Sequence, residues 1–307
     1  MLAPNAFTGR TAVVTGAGGA IGRAACLAYA RHGARVVAVD RSAEALASTA
    51  EELAGTAEEV LTVCANVTSS ADVADYVEQS LDAFGSIDAF FNNAGIEGAV
   101  APLAEYDEAA FDQVMAVNVK GVFLGLRHVL PVMIRQGSGA VVNTGSLASE
   151  RGLPGTGAYN ASKHAVAGLT RTAAAEVGAH GVRVNAVLPG MIDSRMLRSL
   201  AQDLSGGDAQ EALSTMGSVA PLGRLGTPDD VASVVALLSS PPPPSSPVPA
   251  TPSTAGPWQG WPTAAVTPTP LLCRTARCAR YLLPGAGLMT GPSAGRTPPS
   301  RVTSPRR

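Results

Sequence analysis

The chain has 307 residues, 46% of them hydrophobic, and a formal net charge of −2, which suits one large α/β domain with a complete core. It contains no run of about 18 apolar residues, so we expect no membrane span. The N-terminal segment 1–7 lacks the basic and apolar regions of a secretion signal, so we expect a cytoplasmic protein.

The charge is unevenly distributed along the chain. Residues 241–307 contain seven Arg and no acidic residue, whereas residues 1–240 hold 15 basic and 24 acidic residues, a net charge of −9. An acidic body repels phosphate, and the arginines of 241–307 lack interleaved aromatic residues. We therefore expect no nucleic-acid partner.

The four cysteines predict neither disulfides nor a metal site. Cys26 and Cys64 lie in apolar patterns and are expected to be buried free thiols of a reducing compartment. Cys273 and Cys278 have no His or second Cys pair near them, which argues against zinc.

The first part of the chain has the pattern of a dinucleotide-binding unit. Residues 11–15 predict a buried strand, residues 23–32 a helix, and residues 34–39 a second strand that leads to Asp40. The segment 16–22 is rich in glycine, so its backbone can approach a pyrophosphate at the positive end of the helix. Asp40 would accept hydrogen bonds from ribose hydroxyls and repel a 2′-phosphate, which favours NAD over NADP.

Three observations limit this interpretation. The glycine spacing differs from the Gly-x-Gly-x-x-Gly of many dehydrogenases, because position 21 is Ile and the third glycine is Gly22. Arg41, beside Asp40, weakens the argument against a 2′-phosphate. A glycine-rich turn that only caps a helix is the alternative.

Predicted strands and helices alternate through the first 240 residues. The further strands are 59–64, 87–91, 140–143 and 182–188, and the further helices are 70–84 and 109–136. Such alternation predicts an α/β fold, a Rossmann-type doubly wound parallel sheet with helices on both faces. Ligands of such sheets bind beyond the carboxyl ends of the strands. Five polar or turn residues follow strand ends and should gather there: Asp40, Asn66, Asn92, Ser146 and Pro189.

Tyr159, Lys163 and Ser146 are the candidate catalytic residues. Tyr159 and Lys163 are four residues apart in a predicted helix and share a face, and Ser146 follows a predicted strand. A free tyrosine has a pKa near 10, but an ammonium about 4 Å away favours the phenolate by up to ~4 kcal/mol, which lowers the pKa by roughly three. Tyr159 could then act as a general acid–base while Ser146 holds the substrate oxygen. Taken alone, the spacing also fits a helix with one half-buried Tyr and one solvated Lys.

Together these motifs resemble the short-chain dehydrogenase/reductase superfamily over roughly residues 8–240. The matching residues, in the family's order and spacing, are Thr15-Gly16 to Gly22, Asn92-Asn93-Ala94-Gly95, Asn118, Ser146, Tyr159 with Lys163, and Pro189-Gly190. The resemblance implies that Tyr159 is the acid–base, that Lys163 lowers its pKa and binds the nicotinamide ribose, and that Ser146 positions the substrate oxygen. It also implies that Asn118 holds a water of the proton relay. A hydrogen bond at a helix kink is the other role of Asn118, and both can be true.

The resemblance further implies a set of cofactor contacts. Asn66 would bond the adenine amino group through its amide oxygen, and Ser194, where the family usually has Thr, keeps a hydroxyl for the carboxamide. Ala20 replaces the family's middle glycine, which is tolerable if its φ is negative. The expected cofactor-binding residues are Gly16, Gly18, Ala20, Ile21, Gly22, Asp40, Asn66, Val67, Asn92, Ala94, Gly95, Tyr159, Lys163, Pro189, Gly190, Ile192 and Ser194.

The chain departs from the family after residue 240, where the last helix that the resemblance implies, Pro228 to Ser240, ends. The family continues with a final strand, usually like Phe-Val-Thr-Gly…Val-Asp-Gly-Gly, whereas 241–256 is Pro-rich and cannot supply sheet N–H groups. When the third base of each codon is read with the first two of the next, Pro244 to Gly256 permits Phe-Val-Thr-Gly-Ala and continues through Val-Asp-Gly-Gly. We therefore expect a frameshift, with a catalytic domain over 1–240 and a disordered tail over 241–307 in place of the final strand. The alternatives are a genuine disordered extension and a basic tail for an acidic partner.

The predicted function is an oxidoreductase that interconverts a secondary alcohol and a ketone with NAD(H). The segment Met191 to Met216 should close the pocket as a mobile lid, and its apolar residues weakly favour a cyclic or hydrophobic substrate: Met191, Met196, Leu197, Leu200, Leu204 and Leu213. A mobile helix also needs apolar residues for its own packing. The alternatives are an NADPH-dependent 3-oxoacyl-thioester (acyl carrier protein) reductase, a non-catalytic dinucleotide-binding protein and a product that cannot hold its fold. With an intact C-terminus, the resemblance implies a homo-oligomer, a tetramer or dimer.

Overall fold

Six parallel strands form a single sheet in the computed structural model, which describes residues 2–205, 208–220 and 222–241. The strands are β1 Thr11–Thr15, β2 Arg35–Asp40, β3 Val60–Cys64, β4 Ala89–Asn92, β5 Gly139–Thr144 and β6 Val182–Val187. Their order across the sheet is β3-β2-β1-β4-β5-β6, and every neighbouring pair is parallel. The chain winds outward in both directions from β1, so the point where the order reverses lies between β1 and β4.

Helices connect the strands and cover the sheet. They are α1 Ala20–Arg31, α2 Ala43–Leu53, α3 Ser70–Phe84, α4 Glu108–Met115, α5 Gly121–Gln136, α6 Gly157–Val177, α7 Arg195–Ser205, α8 Ala209–Val219 and α9 Pro228–Ser239. Several helices begin at a residue whose side chain caps the first turn. At the start of α3, for example, the Ser69 hydroxyl accepts a hydrogen bond from the Asp72 N–H at 3.3 Å. Such caps supply a partner for backbone donors that the first turn leaves unpaired.

Alternate strand residues enter two separate cores. Val13 and Val37 pack with α3, α5 and α6 on one face of the sheet. Val14 and Val36 pack with α1, α2 and α9 on the other face. Because successive strand side chains point to opposite faces, two apolar layers require strands that are apolar throughout. The predicted doubly wound parallel sheet is confirmed.

The structure differs from the predicted elements at several boundaries. Helix α1 begins at Ala20, three residues before the predicted start, because the glycine turn ends at the extended backbone of Gly19. The single helix predicted over 109–136 is divided by a π-helical turn at Ala116–Lys120. Helix α2 was missing from the predicted elements altogether.

The prediction for the cysteines is half right. Cys26 is buried in α1, and burial raises the pKa of its thiol to about 12, so it is inert at neutral pH. Cys64 is exposed, and its Sγ lies 3.4 Å from the Arg41 carbonyl oxygen. It ends an edge strand whose outer residues face solvent, a position that an apolar pattern alone does not reveal.

One helical stretch, Glu108–Gln136, is long and apolar enough to cross a membrane by length and composition. Of its most apolar window, 56% is buried inside the fold. Residues of this stretch such as Val129 and Met133 belong to the core beneath the sheet, so its apolar character is explained by packing.

The predictions for the tail fall outside the described residues. The frameshift, the disordered tail and the lost final strand all concern positions after Pro241, where the described part of the chain ends. Within the described ranges, β6 is an edge strand that pairs only with β5.

Candidate active site

The turn from β1 into α1 has the shape of a phosphate cradle. Gly16 has a φ of +66°, and a side chain at Gly22 would collide with the Gly16 carbonyl oxygen. A Cβ at Gly18 would lie 2.5 Å from the Cβ of Ala45. Asn5 is the only non-glycine residue with positive φ in the described part of the chain, so Ala20 has the negative φ that it requires. The glycines thus leave the N-terminus of α1 open to a ligand's pyrophosphate.

Asp40 is held at this turn by two backbone hydrogen bonds. Its Oδ2 accepts from the Gly18 N–H and its Oδ1 from the Ser42 N–H, both at 3.0 Å. The carboxylate therefore lies beside the glycine turn although 22 residues separate it from Gly18. Each oxygen retains a lone pair, so the carboxylate can still accept from ribose hydroxyls.

The segment after β4 is fastened across three strands. The Thr15 hydroxyl accepts from the N–H groups of Asn93, at 2.9 Å, and Ala94, at 3.2 Å. The Asn93 side chain donates to the Thr15 carbonyl at 3.1 Å and accepts from the Thr144 hydroxyl at 3.1 Å. Asn93 therefore joins the ends of β1, β4 and β5.

Three predicted cofactor contacts have other partners in the structure. The buried Asn92 amide donates to the Val122 carbonyl at 3.0 Å, so its side chain points into the core. The Asn66 amide oxygen accepts from the N–H and the hydroxyl of Thr68, so a bond to adenine requires it to share or release one of them. Val67 packs against Gly121: a Cβ added at Gly121 would lie 3.0 Å from Cγ2 of Val67.

Tyr159, Lys163 and Ser146 converge as predicted. Tyr159 and Lys163 lie in the first turns of α6, with Nζ of Lys163 5.5 Å from the centre of the Tyr159 ring. Lys163 is buried, and its ammonium donates to the Thr144 carbonyl oxygen at 2.8 Å. Ser146 follows β5 and is close enough for its hydroxyl to affect the Tyr159 phenol as a hydrogen-bond partner.

The expected lowering of the Tyr159 pKa is not what the structure gives. Burial raises the pKa of Tyr159, the hydrogen bond to Ser146 lowers it, and the charge of Glu97 raises it further. Burial also lowers the pKa of Lys163 to about 8. Both shifts have one cause, since the site removes water from whichever group is charged. At neutral pH, Tyr159 therefore keeps its proton.

Asn118 has the structural role that was named as its alternative. It lies in the π-helical turn, fully buried, where its Oδ1 accepts from the Ile96 N–H at 2.8 Å. Its Nδ2 donates to the Ile96 carbonyl at 2.9 Å and to the Ser162 hydroxyl at 3.0 Å. These bonds tie the loop at Ile96 and the α6 residue Ser162 to the π-helical turn.

Ser149 was missed by sequence reasoning. Its hydroxyl accepts from the Ser146 N–H at 3.2 Å and donates to the Lys163 carbonyl at 2.8 Å. The same side chain closes a capping box on the short turn Leu147–Ser149. The Ser-x-x-Ser spacing from Ser146 is the sequence signal that could have found it.

The segment after β6 leads from the site into the predicted lid. Pro189 accepts from the Leu147 N–H at 2.9 Å, which ties the two strand ends together. Ile192 forms an isolated bridge with Gly226. The Ser194 hydroxyl accepts from the Leu197 N–H at 3.3 Å and can still donate to a carboxamide.

The two lid helices, α7 and α8, pack mainly on each other. Leu197, Ala201 and Leu213 form a small core of their own, with Met191 and Met216 partly buried against it. Packing within the lid thus accounts for Met191, Leu197 and Leu213 without a hydrophobic substrate. Residues 206 and 207, which are glycines within the predicted lid, lie outside the described residues.

Lys163→Met will change how stability depends on pH. The pKa of Lys163 falls from 10.5 to about 8 on burial, so between these values the unfolded chain binds more protons and stability rises with pH. The free energy of unfolding should therefore rise by about 3 kcal/mol over that pH window, and the Met variant should lack this rise. Urea unfolding at pH 7 and pH 10 measures this.

The matched control is Lys120→Met, which removes an exposed ammonium from the π-helical turn. Its pH dependence should follow that of the unmodified protein. If the free energy of unfolding depends on pH in the same way in the Lys163 and Lys120 variants, the charge of Lys163 is not desolvated in the folded protein.

The comparisons with known proteins agree with this geometry. Residues 10–205 match the family model described as short chain dehydrogenase. The chain is 42% identical over 236 residues to levodione reductase of Leifsonia aquatica, covering 76% of this chain and 88% of the relative. It is 39% identical over 232 residues to a 3-oxoacyl-[acyl-carrier-protein] reductase of Thermotoga maritima, covering 76% and 91%.

A solved structure of NAD⁺-bound xylitol dehydrogenase superposes with a TM-score of 0.73 at 35% identity, covering 76% of this chain and 94% of that one. The chain is thus similar to known short-chain dehydrogenases in both sequence and fold. This similarity agrees with the glycine cradle and with the arrangement of Ser146, Tyr159 and Lys163. The chain belongs to the short-chain dehydrogenase/reductase family.

Proposed function

We propose that this protein interconverts a secondary alcohol and a ketone, with NAD(H) as the cofactor and Tyr159 as the general acid–base. The observation that carries the proposal is the convergence of Tyr159, Lys163 and Ser146 at the carboxyl edge of the sheet, on the side that also holds the glycine cradle. A non-catalytic binding protein has no need of this arrangement. Relatives that act on alcohols and ketones support the same reaction class.

The chain's own residues handle the proton and the orientation of the substrate. A bound nicotinamide dinucleotide would supply hydride transfer, and the open cradle and Asp40 fit such a group. The protonated Tyr159 would donate its proton to the ketone oxygen during reduction, and the Tyr159 phenolate would accept the proton of the alcohol during oxidation. Ser146 would hold that same oxygen, and Lys163 would place a positive charge beneath the phenol.

The two directions should respond differently to pH. Because burial raises the pKa of Tyr159, the phenol form required for reduction persists at neutral pH. Oxidation needs the phenolate, so its rate should rise with pH above neutrality.

A 3-oxoacyl-thioester reductase is the second candidate, supported by the similarity to the Thermotoga maritima enzyme. It would use NADPH and an acyl-thioester carrier. An assay of the purified protein separates the two candidate functions. Its substrates are levodione, simple ring ketones and acetoacetyl thioesters, each tested with NADH and with NADPH. Turnover of a ketone with NADH supports the first proposal, and turnover restricted to thioesters with NADPH overturns it.

A further inference from the structure

A buried hydroxyl connects the two elements that carry the proposed catalytic residues. Ser149 is 6% exposed and ends the short turn that follows β5. Its hydroxyl accepts from the Ser146 N–H at 3.2 Å and donates to the Lys163 carbonyl oxygen at 2.8 Å. One side chain therefore joins the backbone of the loop that carries Ser146 to the backbone of α6, which carries Tyr159.

The backbone of this loop is tied in the other direction, towards β6. The Gly145 N–H donates to the carbonyl of the last residue of β6 at 2.8 Å, and the Leu147 N–H donates to the Pro189 carbonyl at 2.9 Å. The N–H of Ser146, which lies between these two residues, donates to Ser149 instead. Backbone hydrogen bonds thus fix the loop against β6, and the Ser149 side chain fixes it against α6.

The Ser149 hydroxyl reaches α6 about one helical turn after Tyr159. Lys163, whose carbonyl it bonds, follows Tyr159 by four residues, and an α-helix has 3.6 residues per turn. The hydroxyl is enclosed there, since a Cβ added at Gly145 would lie 3.1 Å from its oxygen. The bridge therefore holds the loop at a defined distance from the part of α6 that carries the phenol.

The direction of the Ser146 side chain depends on this bridge. Its Oγ accepts from the Ala148 N–H at 3.1 Å, which leaves its O–H to donate to a substrate oxygen. The Ser146 backbone is extended, with a φ of −166° and a ψ of 165°, and its N–H is the group that Ser149 holds. Because a single rotatable bond separates the backbone of a serine from its oxygen, the position of the Ser146 backbone determines where its hydroxyl can reach.

We propose that Ser149 is a positioning residue of the reaction, which sets the separation between the Ser146 hydroxyl and the Tyr159 phenol and acts on the substrate through Ser146. This inference rests on the proposed ketone–alcohol activity and adds a residue to the machinery of that site. Both groups have to reach one substrate oxygen, yet they belong to separate elements, the loop after β5 and helix α6. Such placement matters because a displacement of about 1 Å can lower a rate by roughly 100-fold.

Ser149→Ala should lower kcat for ketone reduction by roughly 10–100-fold. It should change the affinity for NADH little, because the glycine cradle and Asp40 belong to other loops. Ser149→Thr keeps the hydroxyl and should retain most of the turnover. The matched control is Ser80→Ala, which removes another buried hydroxyl that donates to a helix carbonyl, that of Tyr76 at 2.6 Å, and should leave kcat unchanged. Steady-state kinetics and fluorescence titration with NADH measure the two quantities.

A double-mutant cycle tests whether Ser149 acts through Ser146. In a Ser146→Ala background, the hydroxyl that Ser149 positions is already gone, so the addition of Ser149→Ala should lower kcat little further. A residue that only stabilises the fold would instead give effects that multiply. Effects of the two substitutions that multiply, or equal kcat values in the Ser149→Ala and Ser80→Ala enzymes, would overturn the inference.

The proposed activity and the role of Ser149 fail separately. If the unmodified enzyme reduces no ketone, the proposed activity fails, and crystal structures of the unmodified protein and of Ser149→Ala decide the role of Ser149. We expect the separation between the Ser146 Oγ and the Tyr159 hydroxyl to differ between the two structures, and an unchanged separation would contradict the inference. If Ser149→Ala does not fold, Ser149→Cys takes its place, because a thiol is of similar size and a weaker hydrogen-bonding group.

Discussion

Tyr159→Phe will lower kcat for ketone reduction by roughly 10²–10⁴-fold, the range expected when a general acid–base is lost. Phenylalanine retains the ring and its packing but has no proton to give to the substrate oxygen. The affinity for NADH, measured by fluorescence titration, should change little. This combination of lost turnover and retained binding separates a chemical role from a structural one.

Tyr106→Phe is the matched control for this experiment. Its hydroxyl accepts from the Ala99 N–H at 3.1 Å in the loop beside the cleft, and it has no contact with the proposed reaction. Turnover of this variant should stay close to that of the unmodified enzyme. A Tyr159→Phe enzyme with undiminished turnover would exclude Tyr159 as the acid–base.

Asp40 should make the enzyme prefer NADH over NADPH by roughly 100-fold in kcat/KM. Its carboxylate is held at the glycine turn by the Gly18 N–H at 3.0 Å, where an adenosine ribose would lie. A 2′-phosphate there would put like charges a few ångströms apart, which costs about 4 kcal/mol per pair of unit charges at an effective dielectric of 20. Partial screening by solvent and by the nearby Arg41 reduces that to the stated preference.

Asp40→Ser tests the cause of this preference. Serine removes the charge while its hydroxyl can still bond the turn, so activity with NADPH should rise relative to NADH. Asp82→Ser, on the exposed face of α3, removes an equal charge elsewhere and should leave the preference unchanged. An unmodified enzyme that favours NADPH would refute the role of Asp40.

The parts of the site that could be predicted from the sequence depend on local spacing. The four-residue separation of Tyr159 and Lys163 places them together on any α-helix. The glycines of 16–22 permit one kind of turn, and the alternating apolar segments permit few sheets other than a parallel one. The predicted convergence of Ser146 with Tyr159 followed from the rule that parallel strands end at one edge.

Other features depended on groups that are distant in the sequence. The direction of the Tyr159 pKa was predicted wrongly because spacing reveals a nearby ammonium but not the loss of water around the phenol. The packing of Leu197 on Leu213 and the exposure of Cys64 depend on which neighbouring elements cover a residue.

By itself, the sequence determined the family, the doubly wound sheet and the convergence of Ser146, Tyr159 and Lys163 beyond a strand end, because periodicity and motif spacing are properties of short segments. Only the tertiary structure decided that Ser149 links Ser146 to Lys163 and that burial raises the pKa of Tyr159. These relations join separate loops, and burial and charge at a point are sums over every group that surrounds it.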